Sequence, residues 1–118
     1  MGTKPEEVIK AKLALSEDSL LEELGASIIT TEGLDLRDLK PEELRQRAEQ
    51  WLDLHSAKIA QTICKDWKFS EKIREPKFQD RLNLAAAIAA VVSGIWVNVS
   101  PFSQAALLVK RGIEELCA

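Results

Sequence analysis

From Leu82 to Val109 the chain carries no charged residue, a run of 28 positions in a sequence of 118. Apolar surface on that scale has to leave water, against other protein or against lipid. Ser100-Pro101 divides the run. A serine N-cap followed by proline in the first turn is a helix start, because the missing proline N–H has no partner there anyway. The run therefore reads as a helical hairpin, with arms at about Lys77–Asn98 and Pro101–Leu116.

Lipid is the weaker of the two destinations. Residues 82–99 as a helix would reach about 27 Å, just short of a hydrocarbon core of about 30 Å. The unbroken apolar part is only Leu84–Val92, with Asn83 and Asn98 on either side. The second arm meets Lys110-Arg111 too soon to cross back. A helix of this length that is apolar all round belongs at the centre of a bundle. A membrane-associated protein using residues 82–109 is the alternative reading.

The rest of the chain can supply such a bundle. Hydrophobic residues make up 46% and charged residues 30%, with 5 Gly and 4 Pro. That is the balance of one folded domain, 1–118, able to bury roughly two-thirds of its surface. Residues 1–65 hold 9 basic and 13 acidic groups, and residues 66–118 hold 7 and 6, so −4 and +1 sum to the net −3. The expected layering is an acidic amphipathic layer, 1–65, over the apolar hairpin core, 66–118.

Helix signals place the other elements. Thr3 with Glu6 forms a capping box for a first helix from about Pro5 to Leu24, stopped by Gly25. Ser16-Glu17-Asp18-Ser19 interrupts its pattern and is the alternative start of a shorter second helix. Ala26–Lys40 is the least helical segment, because Ser27-Ile28-Ile29-Thr30-Thr31 is β-branched and Glu32-Gly33 signals a turn. Leu34, Leu36 and Leu39 are expected to tuck under the bundle, with Asp35 capping a brief turn over 36–39. The clearest amphipathic helix runs from Pro41 to about Lys65. Its apolar stripe is Leu44, Ala48, Trp51, Leu52, His55, Ile59 and Ile63, opposite Glu43, Arg47, Gln50, Lys58 and Gln61. Ser70 is expected to cap one turn that breaks near Pro76. The fold class that results is all-α: a single-domain antiparallel bundle of about four main helices, with an irregular connection near residues 26–40.

Chemistry-bearing patterns are sparse. His55 is the sole histidine, and with Cys64 and Cys117 it makes three N/S donors, one short of a structural zinc site. No metal or other cofactor is implied. The two cysteines are expected to be reduced, half-buried thiols, a disulfide being the alternative. His55 lies on an apolar stripe and is expected to bond a carbonyl or a neighbouring side chain. An enzyme centred on His55 with a cysteine is the third-ranked reading. Acid pairs such as Glu42-Glu43 diverge by about 100° on a helix and do not chelate. Glu49 and Asp53 are better spaced, but no Glu-x-x-His motif accompanies them. The segment KDWKFSEKIREPKF interleaves bases with aromatics, yet its acids leave residues 65–81 at only +2. Nucleic acid is therefore disfavoured as a partner, and Trp67, Phe69 and Phe78 are expected to close one end of the bundle.

Small residues remain. Ala86, Ala90 and Gly94 lie on one helical line, with Ala89 and Ser93 on the next and Trp96 beyond. Such lines let a second helix approach closely. They are the candidate interface, for a protein partner or for a second copy in a homo-oligomer. The amino terminus, MGTKPEEVIK, shows acids where a signal peptide needs an apolar stretch. The expectation is a cytoplasmic, bacterial, non-catalytic helical module for protein–protein interaction or self-association.

Overall fold

The computed structural model describes residues 5–96 and 98–117, and among them every regular element is helical. The fold is all-α, as the sequence predicts. The helices are α1 (Pro5–Leu13), α2 (Glu17–Thr31), α3 (Pro41–Ala60), α4 (Phe69–Lys72), α5 (Arg81–Ser93), α6 (Pro101–Arg111) and α7 (Ile113–Leu116). A π-helical turn, Gln61–Asp66, prolongs α3, and a 3-10 turn, Pro76–Gln79, leads into α5.

Five of these helices are long, not four, because Ser16 cuts the first expected helix in two. Its hydroxyl accepts the Ser19 N–H at 3.1 Å, which starts α2 afresh. The capping box on Thr3 lies outside the described residues. Gly25 does not stop the next helix, and the irregular connection shrinks from 26–40 to 32–40. Burial of Ile28 and Ile29 overrides their weak helix propensity. Thr31 helps by donating its hydroxyl to the Ser27 carbonyl one turn back, at 2.8 Å. Gly33, at φ +79°, then turns the chain. Leu34 and Leu36 stand exposed rather than tucked under, and only Leu39 is half-buried. Its N–H closes the expected turn on the Leu36 carbonyl at 3.1 Å.

Pro41 opens α3, with Glu42 and Glu43 at its positive end. The α-helical bonding ends at Ala60, short of Lys65, and the π turn takes over. There the Trp67 N–H reaches back five residues to the Thr62 carbonyl at 2.9 Å. This turn carries Cys64, which is disulfide-bonded to Cys117 just past α7. The expectation of two reduced thiols fails because the fold brings these residues, 53 apart in sequence, to a Cα separation of 5.3 Å. Lys68 follows in the left-handed region at φ 61°, and α4 starts at Phe69, so Ser70 lies inside the turn and does not cap it. Phe69 and Phe78 are buried, and Trp67 meets Phe78 edge-on at 5.4 Å.

Both hairpin arms are shorter than expected. Asp80 caps α5 by accepting the Leu82 N–H at 2.8 Å, so the arm starts at Arg81 and not Lys77. Helix α6 begins at Pro101 behind its Ser100 cap, as predicted, but Gly112 at φ +96° ends it before α7. α5 packs on α6, α1 contacts both, and α2 lies between α6 and α3. The core draws on both halves of the chain: Ile9, Leu20 and Leu24 are as enclosed as Ile88, Leu107 and Ile113. Among the described residues, no helix is long and apolar enough to cross a membrane.

Candidate functional site

Helix α3 turns its predicted stripe inward, with Ala48, Ile59 and Ile63 buried and Leu44, Trp51, Leu52 and His55 half-buried. Midway along it, the Trp51 and His55 rings meet one turn apart, tilted by 49° with centroids at 4.6 Å. Trp96, beyond the end of α5, completes a trio. Its indole meets Trp51 at 5.3 Å and 71°, and His55 at 5.7 Å and 65°. Edge-to-face contacts of this kind add about 0.5–1.5 kcal/mol each beyond burial.

Hydrogen bonds to α2 hold Trp96 in place. The Asn98 carbonyl accepts the Ser27 hydroxyl at 3.3 Å and, at 2.9 Å, shares the single Thr31 hydroxyl proton with the Ser27 carbonyl. The Ser100 N–H donates to the Ser27 hydroxyl at 2.8 Å, and buried Gln104 donates its amide to the Val99 carbonyl at 3.2 Å. The connection after α5 is thus pinned to α2, and its indole is delivered to the middle of α3. The sequence placed His55 beside a carbonyl or polar side chain, but its ring neighbours are two indoles.

Trp51 of the trio shares an exposed corner with Leu54. Leu54, one residue from His55, is 79% exposed, and Ile95, beside Trp96, is 39% exposed. A groove of ≈ 240 Å³ runs along the Trp51 and Leu54 side, walled by Ile28, Glu32, Arg47 and Gln50. A second groove, ≈ 470 Å³, continues past Gln50 to Ile29, Leu34 and Leu39. At its rim the Arg37 guanidinium, and then the Arg37 backbone N–H, hold the Asp35 carboxyl below the ordinary aspartate range. Large apolar side chains grouped at a surface mark contact sites.

The six predicted interface residues separate into two sets. Ala89 is buried, and Ser93 is half-buried with its hydroxyl on the Ala90 carbonyl at 2.9 Å. Ala86 is half-buried against the core, whereas Ala90 and Gly94 are exposed. Among the described residues, a Cβ on Gly94 would meet only the Val91 carbonyl within 4 Å, at 3.4 Å. Trp96 alone of the six joins the aromatic trio. Leu54 escaped the reading, although its position carried a signal: it stands four residues after Gln50 and four before Lys58, in the middle of the polar face.

Other candidates resolve into structure. Glu22 pairs with Arg45 at 3.1 Å, Glu32 with Arg47 at 2.5 Å, and Glu23 with Lys12. Arg111 joins Glu49 and Glu17 across α6, α3 and α2. Both sulfurs are held in the disulfide, so neither gives His55 a thiol partner. Among the described residues, no three His, Cys, Asp or Glu side chains converge as a metal site. No protein-family model, curated protein sequence or solved structure matches the chain.

Proposed function

We propose that this chain is a non-catalytic helical module for protein–protein interaction, and that its contact surface is the corner where Leu54 meets Trp51, backed by His55 and Trp96. The observation that carries the reading is the 79% exposure of Leu54 on an otherwise polar helix face, in one groove with Trp51 of the aromatic trio. Rigid aromatics flanked by an aliphatic anchor are what dominates binding energy at protein interfaces.

The disulfide bears on where this module works. Such bonds persist in oxidising compartments and are rare in the reducing cytosol. A cytoplasmic setting, expected from the sequence, therefore belongs to the dithiol form of the chain. Titration of the thiols in freshly lysed native cells distinguishes the two forms.

The interaction reading is tested by affinity capture from the native cell with the wild-type chain and with Leu54→Glu as baits. Leu54 is too exposed for its replacement to disturb folding, which helical circular dichroism checks. A protein retained by the wild type and lost by the variant, a second copy of the chain included, is the expected result. Identical capture by both baits contradicts the reading.

A further inference from the structure

The Cys64–Cys117 disulfide lies outside the core. Both cysteines are half-buried, and both line a groove of ≈ 570 Å³ at the end of α3. Ala57, Gln61 and Lys65 wall this groove on one side and Leu116 on the other, and none of these four is buried. A small thiol can approach the sulfurs through the groove without opening the interior. Cleaving the bond also leaves the fold its other supports. Ile113 holds α7 in the core, and Thr62 and Ile63 are buried beneath the π turn. Among the described residues, no hydrogen bond or ion pair joins 61–66 to 113–117, so reduction strands no polar partner there. One cross-link of this kind contributes less than the whole stability of an ordinary domain. Charge differs at the two ends of the bond. Lys65 follows Cys64 and lines the groove, whereas exposed Glu114 and Glu115 precede Cys117. A nearby ammonium favours a thiolate, and the sulfur that better carries the charge leaves faster in exchange.

We propose that Cys64–Cys117 is a reversible redox couple, reduced by a dithiol through direct attack on the folded chain, with Cys64 the first sulfur to leave. A thiolate of the reductant bonds to the Cys117 sulfur as the Cys64–Cys117 bond breaks. The electron pair of that bond goes to Cys64, whose thiolate forms in the groove that Lys65 lines. The second thiol of the reductant loses its proton, attacks its own sulfur in the mixed disulfide and releases Cys117. Two electrons and two protons pass in all: the dithiol becomes a disulfide, and the chain becomes a dithiol. A disulfide of the same class as the oxidised reductant runs the sequence backwards. This chemistry is separate from the Leu54 corner and does not depend on the interaction reading.

Dithiothreitol serves as the probe on the oxidised full chain without denaturant, with maleimide quenching and mass spectrometry to count thiols and circular dichroism to follow the helices. Direct attack makes the reduction rate rise in proportion to dithiothreitol concentration. A bond reached only through unfolding is cut at a rate that levels off at the unfolding rate. The proportional rise is expected, with most helical signal kept and the bond restored by glutathione disulfide. A brief pulse of 2-mercaptoethanol, a monothiol, is expected to leave its first adduct on Cys117. Lys65→Glu is expected to slow reduction about threefold at low salt, the scale of an exposed charge contact, and Lys65→Arg to match the wild type. A rate that levels off, collapse of the helical signal on reduction, failure to reoxidise, a first adduct on Cys64 or a Lys65→Glu rate equal to the wild type overturns the inference. Leu54→Glu is expected to react as the wild type does, so the capture experiment and this one fail independently.

Discussion

Gly25 of α2 lies so close to Leu44 of α3 that a Cβ built on it would stand 2.0 Å from the Leu44 carbonyl oxygen and 2.7 Å from its carbonyl carbon. Two helices approach closely at this point. The obstacle is backbone, which cannot swing aside as a side chain can. Overpacking costs about 1–3 kcal/mol and occasionally more, against the ~1 kcal/mol that alanine returns in helix propensity. Gly25→Ala is expected to destabilise the fold by about 2 kcal/mol in urea unfolding. An unchanged or raised midpoint would show that α2 and α3 do not touch at this point.

Gly94 supplies the contrast. Its backbone is right-handed, at φ −70°, and a Cβ built on it would meet the Val91 carbonyl oxygen at 3.4 Å, an ordinary contact. Gly94→Ala is expected to shift stability by no more than about 0.5 kcal/mol, as surface changes do. A loss comparable to that at Gly25 would mean that the end of α5 is more tightly enclosed than the structure shows.

The Cys64–Cys117 disulfide ties the π turn to the carboxy-terminal helix α7. Cross-links that close loops of this length add about 2–4 kcal/mol by restricting the unfolded chain. Cys64→Ser/Cys117→Ser is expected to lower unfolding stability by that amount while most helical signal persists, because Ile113 keeps α7 anchored in the core. Equal midpoints for the two proteins, under conditions that keep the wild type oxidised, would argue against the bond.

Asp35 pairs with Arg37 in the connection between α2 and α3. Because the folded-state pKa of Asp35 is lowered, its contribution is present above the ordinary aspartate range and is lost as pH falls through the lowered value. An NMR titration should place the Asp35 midpoint below that range. Arg37→Ala is expected to move it back up, since the guanidinium is the largest cause. A midpoint that ignores the substitution would remove the pair from the account.

What the sequence revealed follows from the range of each interaction. The Ser100-Pro101 start of α6 is local chemistry and was legible residue by residue. Ser16 was visible too, but ranked as the alternative, because a cap competes with the apolar periodicity that runs across it. Gly25 was misread as a stop. Glycine permits both a helix end and a close approach, and only the presence of Leu44, nineteen residues on, decides between them. Ser27–Thr31 read as non-helical because β-branching disfavours an isolated helix, whereas burial of Ile28 and Ile29 favours this one. The disulfide and the π turn depend on how α7 returns to α3, which no local pattern encodes. At the candidate site, Trp51 and His55 were placed correctly on the inner stripe of α3. Their meeting with Trp96 depends on Ser27 and Thr31 pinning a connection more than sixty residues away.

Whether the Leu54 corner is covered in the native cell can be read directly by hydroxyl-radical footprinting, comparing the purified chain at nanomolar concentration with the same chain in its own cells. The account predicts that Leu54, Trp51 and Trp96 label readily when dilute and are protected together in the cell, while exposed Leu36, which lines neither groove, serves as a reference. Leu54 labelling to the same extent in both settings would contradict it.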